Sequence, residues 1–196
     1  MRRPGPARRA QLLAVTAGLF AQRGFHGVSV EDIGAAAGIS GPALYRHFPS
    51  KDALLAEMLV DVSRRLLAGG QAVVADCAEP RAAVEALVRA HTRFALEEAA
   101  LIRVQDRDLA NLPPADARTV RRLQRAYVEV WVAALQDLDP SLGTPEARAR
   151  THAVLGLLNS TPHSAVGQDP VVMPALLHDL AMACLLRPSV ITEGTP

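Results

Sequence analysis

A short segment near the start of the chain combines small side chains with one long cation, a combination suited to close contact with DNA. Gly41, Pro42 and Ala43 would let their backbone approach the floor of a groove, where Ala43 could touch a thymine methyl group. The guanidinium of Arg46 could hydrogen-bond guanine or pair with a phosphate. Farther upstream, Ser29 could offer its hydroxyl and the N–H groups of a helix N-terminus to a phosphate.

Two short helices separated by a tight turn are predicted to position these side chains. The first covers about Val30–Ala37 and ends at Gly38, because glycine tolerates the positive φ of a sharp turn. The second is capped by Ser40 and runs to about Phe48. In a helix-turn-helix of this kind the second helix enters the major groove, and the first helix supports it against the DNA backbone.

Longer helices are predicted on both sides of this pair. The helix before it covers about 7–23 and carries one apolar stripe, and the helix after it covers about 51–68 and ends at Gly69–Gly70. No convincing strand pattern appears, and the remaining helices are predicted near 80–98, 99–111, 115–138, 145–166 and 173–186. We therefore expect an all-α fold. An N-terminal three-helix DNA-binding domain (1–50) is expected to precede a larger helical effector-binding and dimerisation domain (51–196), of which 51–68 is the linking helix.

The charge distribution also indicates a nucleic-acid-binding N-terminal part. The net charge of the 196-residue chain is only +1, but residues 1–51 hold seven basic and two acidic residues, and the remainder holds fourteen basic and eighteen acidic residues. A basic first quarter attached to an acidic remainder is typical of a polyanion-binding module joined to a different kind of domain. Arg2, Arg3, Arg8 and Arg9 form either an arm that reaches an adjacent groove or a solvated tail, and the sequence leaves both open.

The stretch from Ser29 to Leu55 closely resembles the DNA-binding signature of the TetR/AcrR family of transcriptional regulators. The shared residues are Ser29, Ile33, Ala37-Gly38-Ile39-Ser40, Leu44-Tyr45, His47-Phe48 and Lys51. One departure is Gly34, where the family usually carries alanine. There we expect a loss of roughly 0.5–1 kcal/mol in helix propensity and an unchanged docking face.

The resemblance implies that Tyr45, His47 and Lys51 bind the DNA backbone and fix the register without reading the sequence. The full set of predicted DNA-binding residues is Ser29, Ser40, Gly41, Pro42, Ala43, Tyr45, Arg46, His47 and Lys51.

The resemblance also implies a homodimer in which the last two long helices of each chain form a four-helix bundle. Residues 153–158 and 175–186 are rich in alanine, leucine and glycine, which allow close apolar packing. A half-site read by one helix is short, so two-fold symmetry predicts a palindromic operator. Alternatively, part of each helix is internal core.

A small-molecule effector is implied as well, bound in a pocket among the middle helices and releasing a repressor from its operator. The candidate polar residues are His91, Arg103, Arg107, Tyr127, Trp131, Asn159 and His163, with Gln105 and Thr161 beside them. Residues 101–109 faintly resemble regulators of acyl-CoA metabolism, which suggests an acyl-CoA or another hydrophobic or anionic ligand. Pro162 is predicted to kink its helix, and the kink marks either a ligand site or an ordinary interface helix.

Other functional classes have less support. The sequence motifs of serine hydrolases, zinc proteases, P-loop proteins and dinucleotide-binding enzymes do not occur, so we expect no enzyme activity, no cofactor and no metal. Two widely separated cysteines, with neither a signal peptide nor a membrane-spanning stretch in the sequence, predict a cytoplasmic, nucleoid-associated protein. A DNA-binding protein without an effector stays possible, and a pocket in the middle helices would favour a sensor.

Overall fold

The computed structural model describes residues 6–187 and shows ten α-helices, one 3-10 turn and no strand over that range. The predicted all-α fold class is therefore confirmed. Two compact units divide the described residues: unit 1 contains 6–66 and 98–124, and unit 2 contains 67–97 and 125–187. The predicted domain division at residue 50 stays a prediction. No helix in residues 6–187 has the length and apolar character needed to cross a membrane.

The helices follow one another with short connections. In chain order they are α1 (Pro6–Arg23), α2 (Val30–Ala37), α3 (Gly41–Tyr45), α4 (Lys51–Ala75), α5 (Pro80–Glu97), α6 (Ala99–Asp108), α7 (Pro114–Leu138), α8 (Thr144–Asn159), α9 (Thr161–Ser164) and α10 (Val172–Leu185). The 3-10 turn, Leu109–Asn111, follows α6 directly. The chain passes from one unit to the other three times. One passage lies at the α5–α6 junction, and the other two lie inside α4 and α7.

Unit 1 contains the predicted helix-turn-helix. In it α1 packs against α2 and α6, and α2 packs against α3. The apolar stripe of α1 supplies Leu12 and Phe20, which are buried together with Ile33, Leu44 and Phe48. Because apolar surface removed from water stabilises a fold by about 25 cal/mol per Å², these side chains hold the short helices in place.

The start of α2 is capped as its sequence predicts. The Ser29 hydroxyl oxygen accepts the N–H of Asp32 at 3.0 Å, and the Asp32 carboxylate accepts the N–H of Ser29 at 2.9 Å. This reciprocal pair is a capping box, which satisfies two backbone donors that the helix itself leaves unbonded.

The turn between α2 and α3 depends on a close backbone approach at Gly34. Gly38 ends α2 with a φ of 65°, and the N–H of Ile39 donates to the carbonyl of Gly34 at 2.9 Å. A Cβ on Gly34 would lie 2.7 Å from the carbonyl oxygen of Ile39, closer than such atoms can pack without movement of the turn. Gly34 therefore permits this turn geometry, beyond the propensity effect expected from the sequence.

The ends of α3 and α4 differ from their predictions. The recognition helix α3 ends at Tyr45 rather than near Phe48, because the N–H groups of His47 and Phe48 both turn back to the carbonyl of Leu44. Helix α4 does not stop at Gly69–Gly70 but continues to Ala75. A Cβ on Gly70 would lie 2.7 Å from the Tyr127 ring, so this glycine makes room for an aromatic side chain and does not end the helix.

The predicted kink at Pro162 is a break between two helices. Helix α8 ends at Asn159, and Pro162 lies in the first turn of α9, where its missing N–H leaves no helical bond unmade. Ser160 donates its hydroxyl to the carbonyl of Leu157 at 2.7 Å, and the buried Thr161 hydroxyl donates to the carbonyl of Ala95 at 2.7 Å. Side chains at the break thus satisfy backbone carbonyls, as at an ordinary helix end.

Unit 2 has a polar cluster in its core. His91 is 3% exposed, and its two ring nitrogens lie 3.1 Å from the Tyr127 hydroxyl and 3.1 Å from Asn159 Oδ1. The rings of Tyr127, Trp131 and Phe94 surround the imidazole with centroid distances of 5.6–6.1 Å. Because Asn159 Oδ1 only accepts, His91 Nε2 carries the hydrogen and Nδ1 accepts from Tyr127.

Burial sets the ionisation of this cluster. Desolvation lowers the pKa of His91 to about 4, against a weaker opposing effect of the hydrogen bond to Asn159. Desolvation also raises the pKa of Tyr127 to about 12. Both side chains are therefore neutral near pH 7, and the core of unit 2 holds polar groups without holding charge.

Replacing Gly34 by alanine tests the close approach in the turn. Both Gly34→Ala and Gly18→Ala replace a helical glycine, and alanine alone should add roughly 0.5–1 kcal/mol of stability in each. A Cβ on Gly18 meets nothing within 4 Å, whereas a Cβ on Gly34 meets the turn backbone. Urea unfolding should therefore show Gly18→Ala to be more stable than Gly34→Ala by about 1 kcal/mol or more. Equal gains would contradict the close approach.

Replacing His91 tests the buried neutral imidazole. The folded pKa of His91 is about 4 and the unfolded value is about 6.5, so protons bind preferentially to the unfolded chain between these values. Stability should therefore fall as pH decreases through this window, by roughly 2 kcal/mol between about pH 7.5 and about pH 5 for His91 alone. His91→Gln should lose that part of the pH dependence, measured by urea unfolding at both pH values. The exposed-histidine control His152→Gln should retain it, and an unchanged pH dependence in His91→Gln would refute the assignment.

Candidate functional site

Helix α3 has one buried side and one exposed side. Leu44 is 3% exposed and anchors the helix in unit 1, while Tyr45 is 54% exposed. Pro42 and Arg46 are also exposed, and Gly41 and Ala43 are half-buried. The exposed side of α3 and the residue that follows it therefore carry the phenol, the guanidinium and the small residues predicted to face DNA.

Lys51, the first residue of α4, holds the loop between α1 and α2. Its ammonium donates to the carbonyls of Phe25 and Val28, each at 2.8 Å, and lies 4.4 Å from the centre of the Phe25 ring. An ammonium has three N–H donors, so two serve the protein and one is left for a further acceptor. The structure thus gives Lys51 a positioning role that its predicted contact with phosphate did not include.

Arg9 and Arg8 bind the other end of the helix-turn-helix. The Arg9 guanidinium forms a bidentate pair with Glu57, donates to the carbonyl of His47 at 2.5 Å and lies 4.3 Å from the centre of the Phe48 ring. Arg8 donates to the carbonyl of Ala37 at 2.8 Å. Both arginines belong to α1 and bind unit 1 itself, so for these two neither the arm nor the tail interpretation holds. Arg2 and Arg3 lie outside the described residues.

His47 and Ser29 are less available than their sequence roles suggest. Burial, followed by the charges of Arg9, Arg8 and Arg46, lowers the pKa of His47, so its imidazole is neutral near pH 7. Its Nδ1 is buried and has no hydrogen-bond partner among residues 6–187. The Ser29 hydroxyl lies 2.8 Å from the Asp32 carboxylate and donates its hydrogen there. Ser40, by contrast, is exposed, and its side chain caps no backbone N–H.

The seven candidate effector-binding residues do not belong to one unit. His91, Tyr127, Trp131 and Asn159 form the polar cluster of unit 2, whereas Arg103 and Arg107 lie on α6 in unit 1. His163 is exposed on α9. The structure thus brings four of the seven together. In this cluster the buried Nε1 of Trp131 makes no short hydrogen bond within residues 6–187, but the Trp131 side chain is near enough to the Tyr127 hydroxyl to lower the pKa of Tyr127 against the larger effect of desolvation.

Arg107 binds the C-terminal end of α1. Its guanidinium donates to the carbonyl of Phe20 and to the carboxylate of Asp108, which is 3% exposed. Asp108 in turn accepts the N–H of Phe25 at 3.4 Å. A cation beside the last carbonyls of a helix stabilises that end. Sequence reasoning missed Asp108, because nothing in its local pattern shows that α6 reaches the α1–α2 junction.

Sequence comparison identifies both parts of the chain. The family model for bacterial regulatory proteins of the tetR family matches residues 12–58, which include the helix-turn-helix. A second model, for a tetracyclin repressor-like C-terminal domain, matches residues 77–163.

A curated relative agrees with these matches. The HTH-type transcriptional repressor KstR2 of Rhodococcus jostii is 31% identical over 130 residues, which cover 66% of this chain and 64% of the relative. The matched region therefore spans somewhat less than two thirds of the relative's length.

Solved structures share the fold. A TetR-family transcriptional regulator from Bordetella parapertussis superposes with a TM-score of 0.82 at 25% identity and covers 92% of this chain and 95% of its own. AibR, solved in complex with isovaleryl coenzyme A and operator DNA, superposes with a TM-score of 0.76 at 18% identity over 93% of this chain and 100% of its own. The family and the curated relative are transcriptional regulators and not enzymes. With a reader built on α2 and α3, two matching family models and this shared fold, the chain belongs to the TetR family of bacterial regulatory proteins.

Proposed function

We propose that this protein is a DNA-binding transcriptional repressor that binds a palindromic operator as a homodimer and leaves it when a small molecule binds. The main support for this proposal is the exposed side of the recognition helix, where Tyr45 and the following Arg46 are exposed while Leu44 is buried. Similarity to a relative named a transcriptional repressor supports repression as the direction of control. A protein of this kind works in the cytoplasm, on the nucleoid.

The DNA contacts divide into positioning and reading. Tyr45, Ser40 and the remaining N–H of Lys51 bind phosphates, and the neutral His47 adds one uncharged donor. Ser29 contributes the N-terminus of α2 more than its hydroxyl, which donates to Asp32. Gly41, Pro42 and Ala43 bring α3 close to the base edges, where Arg46 reads guanine.

The dimer forms through α10. Val172, Leu176 and Leu180 are 55%, 46% and 47% exposed and lie four residues apart, so they form one apolar stripe along the helix. The neighbouring Val171 and Val166 are exposed as well, at 82% and 67%. A contiguous apolar stripe on a protein surface is typical of an interface, and a second copy of α10 would cover it.

The effector contacts the polar cluster of unit 2. His91, Tyr127 and Asn159 satisfy one another, so an effector carbonyl that enters the cluster would compete with the Tyr127 hydroxyl for the indole N–H of Trp131. An acyl-CoA is the ligand class proposed, on the analogy of AibR and its isovaleryl coenzyme A. Effector binding would shift α4 between two positions and so change the spacing of the recognition helices. Strong release needs a preference of a few kcal/mol for the non-binding state.

The first test is a fluorescence-anisotropy titration against DNA flanking the gene, at two salt concentrations and with nonspecific competitor. We expect competitor-resistant binding with two protomers per site, and release by an acyl-CoA. Binding without sequence preference would replace the repressor with a nonspecific DNA-binding protein. No release by any acyl-CoA would remove this effector class from the proposal.

Arg46→Ala and Tyr45→Ala separate reading from positioning. Arg46→Ala should weaken operator binding by about 1–3 kcal/mol and relax the preference at one base pair. Tyr45→Ala should weaken binding to all sequences alike, because a phosphate contact carries no sequence information. Arg64→Ala, which removes an exposed arginine of α4, serves as the control and should bind normally. If Arg46→Ala leaves base preference intact, the reading role is wrong.

Charges placed in the α10 stripe should separate the dimer. Leu176→Glu with Leu180→Glu would force four carboxylates into one two-fold interface. Light scattering should therefore show a monomer, and circular dichroism should show that the monomer is folded. Operator affinity should then fall at least about tenfold, because one half-site binds alone. The control Gln71→Glu with Ala72→Glu adds the same number of acidic side chains at exposed positions of α4 and should stay dimeric. A dimeric Leu176/Leu180 variant would place the interface elsewhere.

A further inference from the structure

A cavity between α5 and α10 lies within unit 2 and outside the polar cluster. Its volume is about 340 Å³, in the range of pockets that bind small molecules. Helix α5 lines it with Arg89, Thr92, Arg93 and Leu96, which follow the i, i+3, i+4, i+7 spacing of one helix face. The remaining lining residues are Glu97, Pro170, Pro174 and His178.

Two buried polar atoms of the lining residues have no partner. The hydroxyl of Thr92, a residue that is 3% exposed, and Nε2 of His178 are both buried without a hydrogen-bond partner within residues 6–187. A buried polar atom left unsatisfied destabilises a fold, so two of them on residues lining one cavity call for a partner. Both are on residues that line the same cavity, and the Thr92 hydroxyl can donate to an anion. Nδ1 of His178 lies 3.5 Å from the carboxylate of Asp179.

The cavity carries charges of both signs. Arg89 and Arg93 lie on the same face of α5, while Glu97 belongs to the lining and the carboxylate of Asp179 lies 3.5 Å from Nδ1 of His178. Arg89 also lies 3.6 Å from Glu85, so Arg93 is the stronger candidate for binding a ligand. The opposite part of the lining is apolar and consists of Leu96, Pro170 and Pro174.

We propose that the α5–α10 cavity is a second ligand site, which binds a small amphipathic carboxylate. The carboxylate accepts hydrogen bonds from the Thr92 hydroxyl and from Arg93. The hydrophobic body of the ligand packs on Leu96 and the two prolines. Binding by itself is independent of the repressor proposal, and only an effect of this ligand on DNA affinity rests on it.

The three faces of α10 keep this site apart from the proposed dimer interface. Met173, Leu177 and Ala181 face the core of unit 2. At about 100° per residue, Pro174 and His178 lie on one side of that row, and Leu176 and Leu180 lie on the other. A partner covering the leucine stripe would therefore leave the cavity open, and ligand binding should not require a monomer.

Calorimetric titration with octanoate, octanol and acetate tests the chemistry of the site. Octanoate should bind wild-type protein at least about tenfold more tightly than octanol, which lacks the charge, or acetate, which lacks the hydrophobic body. Equal affinity for octanoate and octanol would reduce the site to an apolar pocket and overturn the proposal. Absence of octanoate binding would overturn it as well.

Variants locate the binding. Thr92→Val keeps the side-chain shape and removes the hydroxyl, and Arg93→Gln removes the charge; each should weaken octanoate binding about fivefold or more. Arg81→Gln, also on α5 but outside the cavity lining, is the matched control and should bind within about twofold of wild type. The NMR signals of the His178 imidazole nitrogens should shift when octanoate is added. Unchanged binding in Thr92→Val and Arg93→Gln would place the ligand elsewhere and reject this site.

The same samples, titrated with operator DNA, separate the two proposals. Wild-type protein that binds octanoate but no DNA would refute the repressor and retain the site. Protein that binds DNA but no octanoate would refute the site and retain the repressor.

Discussion

The helix-turn-helix of this protein depends on backbone carbonyl groups in the segments between helices, to which cations from α1 and α4 donate hydrogen bonds. Lys51 binds the carbonyls of Phe25 and Val28, and Arg9 binds the carbonyl of His47. Helix α3 is five residues long, which is too short to be stable alone in water. Its direction therefore comes from the burial of Leu44 and from these bonds at its borders.

Much of unit 1 could be predicted from its sequence, because the signals there are local. The capping pair Ser29 and Asp32 and the terminating Gly38 act within a few residues of one another, and the structure shows both. The predicted end of α3 lies too late in the chain, because the turn after Tyr45 is made by backbone hydrogen bonds to Leu44 and requires no particular residue type. Contacts made by Lys51 span 23 and 26 residues and were not predictable from spacing.

Unit 2 shows where sequence reasoning fails. Gly70 has the residue type of a helix end, but its role depends on the ring of Tyr127, which is far away in the chain. Four of the seven candidate effector residues do meet: His91, Tyr127 and Asn159 are joined by hydrogen bonds, and Trp131 packs its ring against two of them. Arg107 does not join them, because its guanidinium donates to a backbone carbonyl at the end of α1 instead. The face of α5 that carries Arg89, Thr92 and Arg93 is visible in the sequence, but its partner His178 is not.

The contact between Arg107, Asp108 and the α1–α2 junction limits how this regulator can be recombined with others. Unit 1 is discontinuous in sequence, since residues 98–124 belong with the helix-turn-helix. A chimera that grafts only the first 50 residues onto a foreign sensor would leave the N–H of Phe25 without its acceptor. It would also take the Arg107 guanidinium away from the carbonyl of Phe20, which would keep only the N–H of Gly24. Modular exchange of DNA specificity would therefore require α6 to travel with the reader, or a foreign α6 with the same pair of charges.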